Sequence, residues 1–224
     1  MLKIFPLGES ALTIEFSNEI SPETNDKVIN LANYLENNNF PGYIEIVPAY
    51  SSLTIFYDVL TVRKNFPDFS TAFEGVKNFA ENALRNFPRI QKEKSRVINI
   101  QVSFDKENAL DLEFVAAINH LKPSEVIEIF IAQTYRVYML GFLPGFAYLG
   151  EIDWRIAAPR KSAPRLRVPK GSVGIAGRQT GIYPLPSPGG WQIIGKTNVE
   201  LFTPNAESPT FLQAGDTVKF YSEN

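Results

Sequence analysis

The sequence predicts an α+β chain of two domains, a small α/β domain at the N-terminus followed by a β-rich domain. Helix-like and strand-like patterns alternate over residues 1–86, whereas short apolar strands separated by turns fill most of the remainder. Ten of the 14 glycines fall in residues 141–195. The polar segment FPRIQKEKS, residues 87–95, interrupts both patterns. We therefore predict domains at residues 1–90 and 91–224.

The N-terminal domain is predicted to have the order ββαββα. Two strands, LKIFPL and ALTIEF, are followed by a helix with Ser21 as its N-cap and Pro22 at its first position. Two further strands, YIEIV and LTIFY, precede a second helix that begins near Ser70. This order favours an open sheet with helices packed against it.

The C-terminal domain begins with a strand, RVINIQV, and two helices, DLEFVAAI and SEVIEIFIA. The strand YRVYML and three late strands, WQIIG, VELF and TVKFY, follow. Short strands with regular turn signals are typical of a β-barrel or sandwich, here with two helices inserted early.

The composition excludes several functional classes. The chain has no cysteine and a single histidine, His120, so a thiolate metal site, a histidine-rich zinc site and a Cys nucleophile are excluded, and we predict no metal site. A pI near 5.6 argues against nucleic acid as a partner. No apolar run approaches the ~20 residues of a membrane helix, and no secretory signal is visible. We therefore expect a cytoplasmic protein that binds neither nucleic acid nor membrane.

The charged residues are distributed asymmetrically. The net charge is −2, yet residues 154–199 contain eight basic residues and no acidic one. We expect this segment to attract a carboxylate or phosphate ligand, or an acidic face of another protein. The eight residues are Arg155, Arg160, Lys161, Arg165, Arg167, Lys170, Arg178 and Lys196.

The segment GSVGIAGRQTGIYPLPSPGGW, residues 171–191, lies within this basic region and contains six glycines and three prolines. A flexible linker of this glycine content is polar, whereas here β-branched and aromatic residues alternate with the glycines. Glycine permits positive φ and close backbone approach, and proline holds its neighbours extended. We predict that the segment is a rigid, shaped wall of a binding site.

Residues 190–197, GWQIIGKT, match the P-loop pattern GxxxxGK[ST] letter for letter. A P-loop lies between a strand and a helix, and its successive backbone N–H groups surround a phosphate. Here a proline-rich turn precedes the match and a strand-like run fills it. We therefore predict no nucleotide site.

Three segments resemble the allophanate hydrolase subunit 1 family: GFLPGFAYLG (141–150), PRKSAPRLRVPKGSVGIAGRQTGIYPLPSPGGWQIIGKT (159–197) and QAGDTVKF (213–220). GESALTIEF and VPAYSSLTIFYD in the N-terminal half are also similar to it, so the resemblance covers nearly the whole chain. Members of the family include the B subunit of 5-oxoprolinase and an inhibitor of a sporulation histidine kinase.

This resemblance implies a small α/β domain followed by a cyclophilin-like β-barrel. It also implies 5-oxoprolinase subunits A and C as partners, with the C subunit, itself a related barrel, in direct contact with this chain. Such a complex opens 5-oxoproline to glutamate with hydrolysis of ATP, and we expect no cofactor on this chain itself. Two alternatives stay open: a regulator that docks on a sensor histidine kinase, and subunit 1 of an allophanate hydrolase.

The chain departs from the family pattern in two places. A Tyr-Gly-Gly and a Gly-Pro-Asp-Leu usually precede the first barrel helix, where this chain has VSFDKENALDL, residues 102–112. A histidine usually ends the second helix, at the position of Phe130. If that histidine takes part in chemistry, this chain is impaired or altered, which favours the regulator.

The candidate site is a cleft walled by the two glycine-rich blocks. We expect Arg160 and Arg165 to clamp a carboxylate, with a solvated basic rim or a contact to another protein of the complex as the alternative. No paired carboxylates for acid–base catalysis lie in this region, so we expect the chain to bind and orient while a partner carries out the ATP chemistry. The candidate substrate- or partner-binding residues are Phe146, Arg160, Arg165, Arg178, Gln179, Thr180, Tyr183, Ser187 and Trp191.

Overall fold

The computed structural model describes residues 2–87 and 95–222. Contacts divide the chain into two compact units, Met1–Lys94 and Ser95–Asn224, each with its own hydrophobic core. Most of the predicted boundary segment, residues 88–94, lies outside the described residues. The domain boundary at residue 90 therefore stays a prediction.

The N-terminal unit is a four-stranded antiparallel sheet with helices packed on it. Its elements are β1 (Lys3–Pro6), β2 (Ala11–Glu15), α1 (Pro22–Asn37), β3 (Tyr43–Pro48), β4 (Ser52–Tyr57), α2 (Val59–Asn65) and α3 (Ala72–Asn86). The strand order is β1-β2-β4-β3. The predicted N-cap of α1 is confirmed, because the Thr24 N–H donates to the Ser21 hydroxyl at 3.1 Å.

The helix α2 is an addition to the predicted ββαββα order. It begins after Asp58, whose carboxylate accepts the Thr61 N–H at 2.8 Å. Only Val62 of its seven residues is buried. Because so short a helix buries a single side chain, it leaves no apolar period that sequence analysis can detect.

The C-terminal unit is a seven-stranded sheet that curls toward a barrel, with two helices near its start. Its elements are β5 (Val97–Val102), α4 (Leu112–Ile118), α5 (Pro123–Ala132), β6 (Thr134–Leu140), β7 (Ala147–Gly150), a 3-10 helix (Trp154–Ile156), β8 (Arg165–Val168), β9 (Ser172–Ala176), β10 (Gln179–Ile182), β11 (Ser187–Gly189), β12 (Gln192–Lys196) and β13 (Thr217–Ser222). The strand order is β12-β9-β10-β7-β6-β13-β5, and β8 pairs separately with β11.

The two edges of this sheet meet at one point. β5 pairs in parallel with β13, whereas the other pairings in the sheet are antiparallel. Directly after β5, the Ser103 N–H donates to the Lys196 carbonyl at 2.8 Å and the Lys196 N–H donates back to the Ser103 carbonyl at 2.9 Å. The prediction of a barrel-like domain with two early helices is confirmed.

The strand predicted at residues 199–202 does not form. Phe202 makes only an isolated bridge with Thr210. The Val199 N–H, which a strand ladder would use, donates instead to the Thr197 hydroxyl at 3.2 Å. Local side-chain to backbone bonds of this kind compete with sheet pairing.

Phe130 lies in the core of the C-terminal unit and has no exposed surface. Its ring stacks on Phe220 with centroids 4.9 Å apart, and lies 5.2 Å from the Tyr135 ring. The Tyr135 hydroxyl donates to the Phe130 carbonyl at 2.7 Å. Position 130 is therefore a packing position, closed to solvent.

Candidate functional site

The glycine-rich segment 171–191 consists of strands and tight turns, as expected for a shaped segment and not for a linker. It contains β9, β10 and β11, and β9 pairs with β10 as a hairpin. Gly177 has a φ of 60° at the hairpin turn, and Gly171 has a φ of 81°. A Cβ at Gly171 would collide with the Thr197 carbonyl, so only glycine fits there. The segment is part of the sheet and is not a linker.

The P-loop match at residues 190–197 has no P-loop structure. Residues Gln192–Lys196 form β12, and no helix follows in residues 197–200. The strand found there lacks the geometry of a P-loop, and the absence of a nucleotide site stays a prediction.

Three of the predicted site residues, Phe146, Tyr183 and Trp191, lie together in an aromatic cluster that also contains Tyr148. The ring centroid of Phe146 lies 5.2 Å from that of Tyr183 and 5.6 Å from that of Trp191, both edge to face. The guanidinium carbon of Arg160 lies 5.8 Å from the Trp191 ring centroid, within cation–π range. Burial raises the pKa of Tyr183 and of Tyr148. The cluster therefore consists of uncharged aromatic rings that pack together beside the Arg160 guanidinium.

Asp111 is the site residue that the sequence analysis missed. Its side chain is 6% exposed, and its carboxylate accepts hydrogen bonds from both Nη groups of Arg165, at 2.7 and 2.8 Å. Lys161 Nζ lies 3.2 Å from the same carboxylate, and the Ile193 N–H donates to it at 2.7 Å. The Asp111 N–H in turn donates to the Ile193 carbonyl at 2.7 Å. One carboxylate thus ties the start of α4 to β8, β12 and the loop before β8.

The Asp111 carboxylate is ionised at neutral pH. Burial by itself raises the pKa of Asp111, but the hydrogen bonds from Arg165 and from the Ile193 N–H outweigh it, and the pKa lies below its ordinary value. With Arg165 and Lys161 both cationic, the cluster carries one net positive charge.

The sequence predicts that Arg160 and Arg165 bind one carboxylate together, but in the structure the two guanidinium groups contact different partners. Arg165 directs both of its Nη groups at Asp111, whereas Arg160 lies over Trp191. A ligand carboxylate would have to displace Asp111 from Arg165. Arg160 forms no ion pair within the described residues and is exposed, so it is the arginine of this pair that a ligand can reach.

The basic segment 154–199 is partly neutralised by acids that lie outside it. Arg155 pairs with Asp153 and Arg178 with Glu151, each at 2.7 Å. Lys170 pairs with Glu200. The local excess of positive charge is therefore smaller than the sequence suggests.

Of the remaining predicted residues, Arg178, Gln179 and Thr180 lie on the hairpin of β9 and β10, and Ser187 lies on β11, which pairs with β8. Arg178 is exposed at its turn, and Gln179 is half-buried at the start of β10. Thr180 is fully buried and donates its hydroxyl to the Gly174 carbonyl at 2.9 Å, while Ser187 donates to the Pro188 carbonyl at 3.1 Å. Both hydroxyls thus satisfy backbone carbonyls, as turn and strand residues commonly do.

His120 is a turn residue with a φ of 56° between α4 and α5. Across residues 2–87 and 95–222, no group of three histidine or acidic side chains is arranged to hold a metal ion. Among the helices of the described chain, none has the length and apolar character needed to cross a membrane.

Arg160→Ala and Arg165→Ala are expected to differ sharply in stability. The first removes an exposed cation–π contact and should cost about 0.5–1 kcal/mol. The second leaves Asp111 without its bidentate partner and should cost about 3 kcal/mol or more of the free energy of unfolding. Urea denaturation followed by tryptophan fluorescence measures both, since Trp154 and Trp191 lie in the C-terminal unit. Equal losses would contradict the assignment of Arg165 to Asp111.

Comparison with known proteins gives a consistent assignment. The family model described as carboxyltransferase domain, subdomain C and D, matches residues 2–212. The chain is 50% identical to the 5-oxoprolinase B subunit of Bacillus subtilis (strain 168) over 219 residues, which cover 97% of this chain and 91% of that protein. It is 38% identical to the 5-oxoprolinase B subunit of Haemophilus influenzae over 223 residues, covering 99% and 98%.

A solved structure, that of TTHA0988, superposes with a TM-score of 0.80 at 34% identity. The match covers all of this chain but only 40% of that longer one. The resemblance found from the sequence motifs is confirmed. The chain belongs to the carboxyltransferase domain family that is defined by subdomains C and D.

Proposed function

We propose that this chain is the B subunit of a cytoplasmic 5-oxoprolinase that acts with subunits A and C. The observation that supports this most strongly is the 50% identity to the Bacillus subtilis B subunit over nearly the full length of both proteins. The complex hydrolyses the lactam C–N bond of 5-oxoproline to give glutamate, and hydrolysis of ATP to ADP and phosphate drives the reaction.

The role proposed for this chain is binding and assembly. Its one buried carboxylate in the candidate site, Asp111, is fixed by Arg165, Lys161 and a backbone N–H, so it is poorly placed to exchange protons with a substrate. Arg160 is exposed beside the aromatic cluster, where it can meet an anionic ligand or an acidic partner face. We assign nucleotide binding and phosphoryl chemistry to a partner protein of the complex.

Exchange of subunits tests the proposal. The chain is expected to replace the B subunit in a 5-oxoprolinase reconstituted from the Bacillus subtilis proteins, restoring glutamate formation from 5-oxoproline and ATP. The Arg160→Ala variant, which should fold normally, is expected to restore less activity. A chain that assembles with the Bacillus proteins but restores no glutamate formation would contradict the proposal.

A further inference from the structure

A cavity of about 290 Å³ opens in the C-terminal unit, beside the point where the two sheet edges meet. It shares no lining residue with the aromatic cluster or with the Asp111 cluster. Its lining residues come from the end of β5 and from β12 and the residues after it. They are Gln101, Ser103, Lys196, Thr197, Asn198 and Val199.

The walls of this cavity are held by backbone hydrogen bonds. Ser103 and Lys196 exchange two of them, at 2.8 and 2.9 Å, and the Thr197 N–H donates to the Gly171 carbonyl at 2.9 Å. Gly195 faces the Val102 side chain and the Ser103 carbonyl so closely that a Cβ there would lie 2.6 Å and 3.0 Å from them. The cavity is therefore preformed, which reduces the entropy lost on binding.

Five of the six residues that line the cavity carry polar side chains. Ser103 is already committed, since it donates to Asp105 at 2.7 Å and accepts from Asn108 at 3.0 Å. Lys196 makes no ion pair within residues 2–87 and 95–222, where the ion pairs involve other cations. The residues that line the cavity thus include one lysine, Lys196, and two residues with side-chain amides, Gln101 and Asn198.

We propose that this cavity binds a small carboxylate that also carries an amide group. The ammonium of Lys196 meets the carboxylate, and the amides of Gln101 and Asn198 can both donate to and accept from the ligand amide. A single cation without a glycine-rich phosphate loop does not suit a nucleoside triphosphate. 5-Oxoproline, a carboxylate attached to a five-membered lactam, is the member of this class to which the proposed function points, and its identification rests on that function.

Titration of the full-length, ¹⁵N-labelled chain with 5-oxoproline tests the site. The NMR resonances of residues 101–103 and 196–199 are expected to shift, and all of these shifts should fit one dissociation constant. 2-Pyrrolidinone, which is the same lactam without the carboxylate, is expected to bind about tenfold or more weakly, because it lacks the charge-assisted hydrogen bond. Shifts confined to other parts of the chain, or equal binding of the two compounds, would overturn the site.

Variants at two lysines test whether binding depends on the charge of Lys196 and not on a change in the fold. Lys196→Met keeps the aliphatic chain and is expected to lose about tenfold or more in affinity, whereas Lys196→Arg retains most of it. Lys170→Met is the matched control. Lys170 directly precedes Gly171, whose carbonyl accepts the Thr197 N–H, but its own ammonium is paired with Glu200, so this variant should bind as the unsubstituted chain does. Unchanged affinity in Lys196→Met would overturn the proposal.

The binding titration and the exchange assay can fail separately. A chain that supports glutamate formation but shows no 5-oxoproline binding at Lys196 overturns the cavity site and leaves the proposed function intact. A chain that binds 5-oxoproline at the cavity but supports no glutamate formation retains the site and overturns the proposed function.

Discussion

Asp111→Ala is expected to lower the free energy of unfolding of the C-terminal unit by about 3–5 kcal/mol, the usual effect of removing one partner of a buried ion pair. The substitution leaves the two Nη groups of Arg165 and the Ile193 N–H without their acceptor. It also removes one of the two hydrogen bonds between Asp111 and Ile193 that join the start of α4 to β12, while the backbone bond from the residue 111 N–H to the Ile193 carbonyl remains. Urea denaturation of the full chain, followed by the fluorescence of Trp154 and Trp191, reports this unit selectively.

Two further variants separate the buried pair from ordinary surface charge. Glu200→Gln removes an exposed ion pair with Lys170 and should change the free energy of unfolding by about 1 kcal/mol or less. The double variant Asp111→Asn with Arg165→Leu leaves only the partly exposed Lys161 ammonium without its acidic partner, and its loss of stability should be smaller than the losses of the two single variants added together. Additive losses would contradict a direct coupling between the two residues.

The stabilisation by Asp111 has a defined pH window. Because the pKa of Asp111 is lower in the folded chain than in the unfolded one, its contribution is fully present above the unfolded pKa of about 3.9. It is lost as the pH falls through the folded pKa. The stability difference between the unsubstituted chain and Asp111→Asn should therefore be constant from pH 7 to about 5 and shrink only below about 4.

Phe130→Ala is expected to lower the free energy of unfolding by about 3–5 kcal/mol, because it opens a cavity in the C-terminal core. Phe130 has no exposed surface and stacks on Phe220. Phe114→Ala is the matched control on the neighbouring helix. Phe114 is 44% exposed, so Phe114→Ala should lower the free energy of unfolding by well under half as much as Phe130→Ala does. The same urea denaturation measures both variants.

Phe130→His tests whether position 130 takes part in chemistry. A buried imidazole resists protonation, so this variant should be destabilised, and more strongly as the pH falls below the unfolded histidine pKa of about 6.5. Position 130 is closed to solvent. Any decrease in glutamate formation that Phe130→His causes in the complex should therefore be explained by the loss of stability of the variant. A rise in activity over the unsubstituted chain would show that a histidine there does chemistry.

The sequence predicts most of this fold because the relevant signals are local. Strand and helix periods, the Ser21 cap and the glycine-rich turns each involve residues close together in the chain. The sequence does not predict α2, because this helix buries only Val62. The prediction of a strand at 199–202 was wrong, because the Val199 N–H donates to the side chain of Thr197.

The residues of the candidate site could be predicted only where their neighbours in the sequence give a signal. The aromatic residues of the cluster lie in or beside the two glycine-rich blocks, whose composition marks them as shaped walls. Asp111, in contrast, lies 54 residues before its partner Arg165. An aspartate directly before a helix is normally interpreted as an N-cap, yet Asp111 makes no side-chain capping bond. Its position inside the unusual segment 102–112 was the one available signal.

The most direct test of the proposed function is glutamate release from 5-oxoproline by the cognate A and C subunits with ATP, as this chain is titrated in. We predict that glutamate formation appears only with the chain and saturates when the chain matches the other two proteins in amount. An equal rate of glutamate formation with and without the chain would contradict its role in the enzyme.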